Sequence, residues 1–216
     1  MRAALFDLDR TLVRKDTATL YVKWQRDVGL ATTRDLVRTM WWVAQYTFGV
    51  LDTPAVAARA IATLAGKPEQ KMIDECEAWF EERVLPHVAG GGRRAVERHK
   101  REGDLVAIVT GATPYVARPL ARALGIDHVV SSELEVDERG AFTGRGRDPL
   151  CYGEGKVVRV ARLAEQCGFD LSKAVFYTDS LTDLPLLERV AEPICVNPDP
   201  RLRRVAKKRG WRVEAW

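Results

Sequence analysis

Short apolar runs recur along the chain at Ala3 to Phe6, Leu105 to Val109, Val129-Val130, Val175 to Tyr177 and Ile194 to Val196. Each reads as a short strand buried on both faces, the pattern of a parallel sheet. Helical patterns separate most of them. Pro114 to Leu124 is one, closed by Gly125. Gly155 to Cys167 is another, with Val157, Val160, Ala161 and Ala164 at helical spacing and Gly168 at its end. Alternating strands and helices predict an α/β fold, a doubly wound, Rossmann-like parallel sheet covered on both faces.

The first strand does not lead directly to the second. Between Leu12 and about Gly90 the chain holds four helix-like segments, Asp16 to Val28, Arg34 to Thr47, Pro54 to Ala65 and Glu69 to Val84. Gly29, Gly49 and Gly66-Lys67-Pro68 punctuate them. Gly90-Gly91-Gly92 reads as a hinge back to the sheet. The expected division is a catalytic core of residues 1–15 and 90–216, with a helical cap, residues 16–89, inserted after the first strand. Residues 133–146 alternate around a turn and predict a small hairpin beside the sheet.

At 216 residues, the chain has room for one core and one inserted cap. Its 46% hydrophobic and 30% charged residues are ordinary globular composition. A net charge of +4 suits a small anionic substrate and is too slight to argue for nucleic acid. Arg201, Arg203, Arg204, Lys207, Lys208 and Arg209 have the spacing of a solvated helix face, with no interleaved aromatics. Cys76, Cys151, Cys167 and Cys195 form no CxxC pair and read as reduced thiols. His87, His99 and His128 lack metal-ligand spacing and read as surface or packing residues. Met1-Arg2 runs straight into an apolar strand with no secretory signal, and Met40 to Ala44 is too short to span a bilayer. A cytoplasmic protein without stable membrane insertion is expected.

Four segments carry candidate chemistry. Asp7 and Asp9 follow the first strand, where ligands of open α/β sheets bind. Two carboxylates so close repel each other, an arrangement that invites Mg²⁺. Thr110-Gly111-Ala112 follows the strand at 105–109 and offers a hydroxyl and an accessible amide to a phosphate. Lys156 stands at a helix start, where the macrodipole opposes a cation unless an anion lies nearby. A nucleotide P-loop is excluded there, because Leu150 and Val157 occupy positions that need Gly and Ser or Thr. Asp179 and Asp183 follow the strand at 175–177 and suit a metal site, with Asp183 expected to begin a helix. Together these groups can surround one phosphoryl group: Asp7 as nucleophile, Asp9 as acid and then base, and Lys156 as countercharge.

On these residues the sequence resembles the haloacid dehalogenase superfamily, in its phosphoserine phosphatase-like branch. The resemblance covers residues 1–15 and roughly 90–200. It implies Asp7 as nucleophile and Asp9 as general acid/base. Mg²⁺ would be held by Asp7, Asp179 and the main-chain carbonyl of Asp9, with Asp183 in support. Thr110, Gly111 and Lys156 would contact the phosphate, and Asp16 the rest of a small phosphorylated substrate. The chain departs from the phosphoserine phosphatases in carrying Thr110-Gly111-Ala112 for Ser-Gly-Gly, Thr178 for Gly and Asp16 for Glu.

The expected activity is phosphomonoester hydrolysis, with phosphoserine the leading substrate. Two alternatives stay open. Trp41, Trp42, Tyr46 and Phe48 read first as packing between cap helices, but they could line an apolar cap pocket or touch a membrane surface, which would favour a lipid or sugar phosphate. A regulatory protein whose core no longer turns over is the other.

Overall fold

The computed structural model describes residues 1–34, 36–37 and 53–216. The strands are β1 (Ala3–Phe6), β2 (Leu105–Val109), β3 (His128–Val130), β4 (Leu134–Val136), β5 (Phe142–Gly146), β6 (Val175–Thr178), β7 (Glu192–Val196) and β8 (Arg212–Glu214). Six form one sheet in the order β3-β2-β1-β6-β7-β8, every adjacent pair parallel. The five apolar runs of the sequence are β1, β2, β3, β6 and β7. The sixth strand, β8, lies at an edge with Arg212 and Val213 exposed, so it carries no apolar run to announce it.

Alternation along the strands divides the core between the two faces. Ala4 and Phe6, Val106 and Ile108, and Val175 and Tyr177 face one side. There they meet helices α4 (Gly90–Arg101) and α5 (Pro114–Leu124) through Ala95, Val96, Ala117 and Leu120. Ala3, Leu5, Ala107 and Phe176 face the other side, covered by α6 (Glu154–Cys167), the short α7 (Leu184–Leu187) and α8 (Pro200–Arg209). The sheet is doubly wound as expected. Gly125 and Gly168 end α5 and α6 in the left-handed conformation, with φ of 61° and 70°.

The inserted segment contains α1 (Thr17–Asp27), α2 (Thr53–Ala62) and α3 (Glu69–Trp79), the last running on through a π turn, Phe80–Val84. These match three of the four helical patterns. Most of the fourth, Arg34 to Thr47, lies outside the described residues, as do Trp41, Trp42, Tyr46 and Phe48. The segment leaves and rejoins the core at one place, where Val13 bridges Val88 and the Ala89 amide donates to the Leu12 carbonyl at 2.8 Å. Trp24, Trp79, Phe80 and Val84 root it in the same core as Leu8 and Leu12.

Two expectations are corrected. Gly90-Gly91-Gly92 is the first turn of α4, not a hinge. Trp216 packs on Gly91 and Gly92: a Cβ on Gly91 would lie 2.5 Å from its ring. The hairpin β4–β5 is a separate two-stranded sheet, fastened to the insert instead of standing beside the main sheet. Phe142 exchanges main-chain hydrogen bonds with Gly66 and Lys67, at 2.8 and 3.0 Å. Phe142 and Leu134 pack with Ile61, Cys76 and Tyr115.

All four cysteines are free, Cys167 half-buried and the others buried. Arg203, Arg204, Lys207, Lys208 and Arg209 lie exposed along α8, whose Leu202 and Ala206 face the core. That is the solvated face read from the sequence. No described helix is long and apolar enough to cross a membrane.

Candidate active site

Three neighbouring strands bring the site together. The Asp7 amide donates to the Tyr177 carbonyl at 2.8 Å and the Thr110 amide to the Val130 carbonyl at 2.9 Å, so the parallel ladder continues just past the strand ends. Thr110, Asp7 and Asp179 therefore emerge from β2, β1 and β6 along one edge. This is the carboxyl edge of an open sheet, where such folds bind ligands.

Lys156 reaches into this edge from the first turn of α6. It is buried, and its Nζ donates to Asp7 Oδ1 and to Asp183 Oδ2, each at 2.7 Å. Thr178 donates its hydroxyl to the same Asp183 oxygen at 2.6 Å and accepts from the Ser180 amide at 3.2 Å. Asp183 itself closes a 3-10 turn and precedes α7. Asp9 Oδ1 accepts from the Thr17 amide at 2.7 Å. Asp16 caps α1, accepting from the Thr19 amide at 2.8 Å and the Thr19 hydroxyl at 2.9 Å. The Thr110 hydroxyl accepts from the Ala112 amide at 3.0 Å, which leaves its proton to donate. Gly111 has no room for a side chain, because a Cβ would lie 2.1 Å from the Tyr152 ring.

The electrostatics follow from burying several carboxylates together. Burial pushes Asp7 up to about 6, with Lys156 opposing and Asp183 adding to the rise. Burial, then the charge of Asp16, pushes Asp9 up to about 8, a shift that favours the protonated carboxyl. Asp179 is raised well above the carboxylate range, first by burial and then by Asp7, while Arg10 opposes. Burial works against the charge on Lys156, but Asp183 and Asp7 outweigh it and keep the ammonium protonated.

The residues that could hold a divalent cation are Asp7 and Asp179, buried carboxylates whose mutual repulsion a cation would relieve. The main-chain carbonyl of Asp9 could complete the set. Mg²⁺ takes few protein ligands and keeps several waters, which this sparse oxygen set fits. Among the described residues, the one group of three acidic, histidine or cysteine side chains close enough to share an ion is His99, Glu102 and Asp104. Both ring nitrogens of the buried His99 are engaged there, with Asp104 at 2.7 Å and the Tyr177 hydroxyl at 2.8 Å. That is the packing role expected of His99.

The structure thus gathers Asp7, Lys156, Asp179, Asp183 and Thr110 at one sheet edge, with Asp9 and Asp16 on the loop that enters α1. Sequence reasoning did not single out Tyr152, or the support that Thr178 gives Asp183. Position after a strand was the only signal for Thr178, and the neighbour of Gly111 has no local signal at all.

A family model for haloacid dehalogenase-like hydrolases matches residues 4–188. Among curated proteins, a histidinol-phosphatase from Neisseria meningitidis serogroup C is 29% identical, with 97% of this chain and 96% of that protein covered. Phosphoserine phosphatase SerB1 of Mycobacterium tuberculosis is 32% identical, over 98% of this chain and 70% of its own length. Among solved structures, a Bordetella pertussis Tohama I protein of unknown function superposes with a TM-score of 0.88 at 33% identity. That match covers 99% of this chain and 97% of the other.

Proposed function

The chain belongs to the haloacid dehalogenase-like hydrolases, and on that footing we propose that it is a Mg²⁺-dependent phosphomonoester hydrolase working through an aspartyl phosphate on Asp7. One observation carries this reading: the Lys156 ammonium lies 2.7 Å from both Asp7 and Asp183 at the edge where three parallel strands end. A buried cation beside a buried carboxylate, next to an amide turn, suits a phosphoryl group.

In this reading an Asp7 oxygen bonds to phosphorus as the ester P–O bond breaks. The leaving oxygen takes its proton from Asp9, which the neighbouring charge of Asp16 helps to keep protonated. Water then attacks phosphorus and gives a proton to Asp9, and the Asp7–phosphorus bond breaks to release phosphate. Lys156 neutralises the phosphoryl oxygens, while the Thr110 hydroxyl and the Gly111 amide orient them. A bound Mg²⁺, held by Asp7, Asp179 and the Asp9 carbonyl with Asp183 in support, supplies further charge neutralisation. The domain division follows from the same reading, with residues 1–15 and 90–216 doing the chemistry and residues 16–89 covering it.

The substrate class is a small ester, for which phosphoserine is the leading candidate. Histidinol phosphate, suggested by the name of the Neisseria relative, shares with phosphoserine a phosphorylated primary alcohol beside an amine. Asp16 supports that class, since its carboxylate stands near Asp9 and could pair with the ammonium.

Phosphate release from phosphoserine, histidinol phosphate, sugar phosphates and lysophosphatidate, with Mg²⁺ and then with EDTA, tests the proposal. Metal-dependent release from either amino ester is expected, and Asp7→Asn is expected to abolish turnover in a folded protein. Full activity in clean Asp7→Asn protein, or no release from any ester by the folded wild type, would overturn it.

A further inference from the structure

Asp199 takes no part in the chemistry above, yet it grips the Asp179 loop from two directions. It follows β7 and is buried, at 8% exposure. Its amide donates to the Asp179 carbonyl at 2.8 Å. Its Oδ2 accepts from the Leu181 amide at 2.9 Å. Its Oδ1 accepts from the amides of Arg201 and Leu202, at 2.7 and 2.9 Å, and so caps α8.

Capping needs one side-chain oxygen. The second oxygen and the main-chain amide serve Leu181 and Asp179, 18 and 20 residues earlier in the chain. The Asp199 carboxylate thereby fastens the Leu181 end of the loop, and its amide the Asp179 end, to α8, which Leu202 and Ala206 anchor in the core. After Asp179 the loop runs through a single 3-10 turn, Leu181–Asp183. Its own bonds are short-range, the Ser180 amide to the Thr178 hydroxyl at 3.2 Å and the Ser180 hydroxyl to the Thr182 hydroxyl at 2.9 Å, whereas Asp199 ties it to a distant element.

We propose that Asp199 is a positioning residue: it fixes the direction in which Asp179 presents its carboxylate to Mg²⁺. This rests on the proposed function, since Asp179 is a metal ligand only in that reading. Partners that orient a metal ligand set affinity as well as geometry, and their loss commonly costs about 10–100-fold in metal binding.

Three variants separate this role from helix capping. Asp199→Asn keeps an oxygen for α8, where asparagine caps as well as aspartate, but turns an amide donor against the Leu181 N–H. Asp199→Ser keeps a capping oxygen and loses the reach to Leu181. Leu181→Pro leaves Asp199 untouched and deletes the N–H it accepts. Ser180 already has the extended backbone, φ −111° and ψ 136°, that a residue before proline adopts, and position 181 opens its turn. Calorimetric titration with Mg²⁺ alone, without substrate, reads the effect. The dissociation constant is expected to rise about ten-fold or more in all three variants, with a drop in the melting temperature in EDTA no larger than the loss of one bond to a charged group accounts for. Unchanged Mg²⁺ affinity in any folded variant overturns the inference and leaves Asp199 as a cap. If the wild type takes up no Mg²⁺, the proposed function fails and the inference falls with it. The wild-type titration therefore tells the two failures apart.

Discussion

Thr178 is fully buried at the end of β6, and its hydroxyl joins two groups that no local pattern would connect. It holds Asp183 Oδ2 beside Lys156 and takes up the Ser180 amide. Thr178→Val keeps the shape and removes both bonds. A hydrogen bond to a charged group contributes about 1.5–3 kcal/mol, so the melting temperature should drop and kcat/KM should fall at least several-fold. Thr178→Ser should restore both. Equal kinetics in Val and Ser variants would remove the hydroxyl from the site's support. The acidic residues and Lys156 were legible in the sequence because each breaks a local rule. Asp7, Asp9 and Asp179 set charges at the ends of apolar strands, and Lys156 sets a cation at a helix start. Thr178 and Asp199 break no such rule. Their partners meet them only in the folded chain, Leu181 with Asp199 across 18 positions.

Among the elements, the start of α6 has the least slack. The amides of Tyr152 and Gly155 close successive turns, the first onto the Leu150 carbonyl at 2.8 Å. A Cβ on Gly155 would stand 2.0 Å from that carbonyl oxygen. Arg159, one turn further along, pins the approach by donating to the carbonyls of Pro149 and Arg147, at 2.6 and 2.7 Å. Gly155→Ala must therefore move backbone that carries Lys156. A cost of about 1–3 kcal/mol is expected, with a loss of activity larger than the loss of stability explains, read by comparing kcat with the denaturation midpoint. Helices α1, α5 and α6 were legible because caps and glycines bound their apolar stripes, and α2 and α3 because Gly66-Lys67-Pro68 parts them. The start of α4 was not. Three glycines carry the penalty of a helix breaker, and the ring of Trp216 that packs on Gly91 and Gly92 is placed there only by the fold.

At the scale of the whole molecule, burial sets the response to alkali. The thiol of Cys76 is pushed up to about 12 and that of Cys195 to about 11, in both cases by burial first. Each ordinarily ionises near 9. Above that pH the unfolded chain gives up protons that the native chain keeps, so stability should fall as pH rises from about 9 towards 12. Urea midpoints at pH 8 and pH 10.5 check the sign, and a midpoint that climbs over this interval would contradict it. At pH 8 the half-buried Cys167 should be labelled by a thiol reagent well before the buried cysteines. The insert also meets the core through side chains on α5. Tyr115 donates to Glu69 at 2.6 Å and Arg122 pairs with Glu77, so α3 rests on the helix that follows the Thr110 turn. Finally, the excursion that begins after Val13 and ends before Val88 is sewn shut at its base by the Val13–Val88 bridge, with the Arg14 amide donating to the His87 carbonyl and the Ala89 amide to the Leu12 carbonyl. A seam that narrow lets natural selection rewrite nearly everything above it without severing a strand of the sheet. The root formed by Trp24, Trp79, Phe80 and Val84 belongs to the part that must be inherited intact. A lineage built on this plan can change what it accepts while keeping how it reacts.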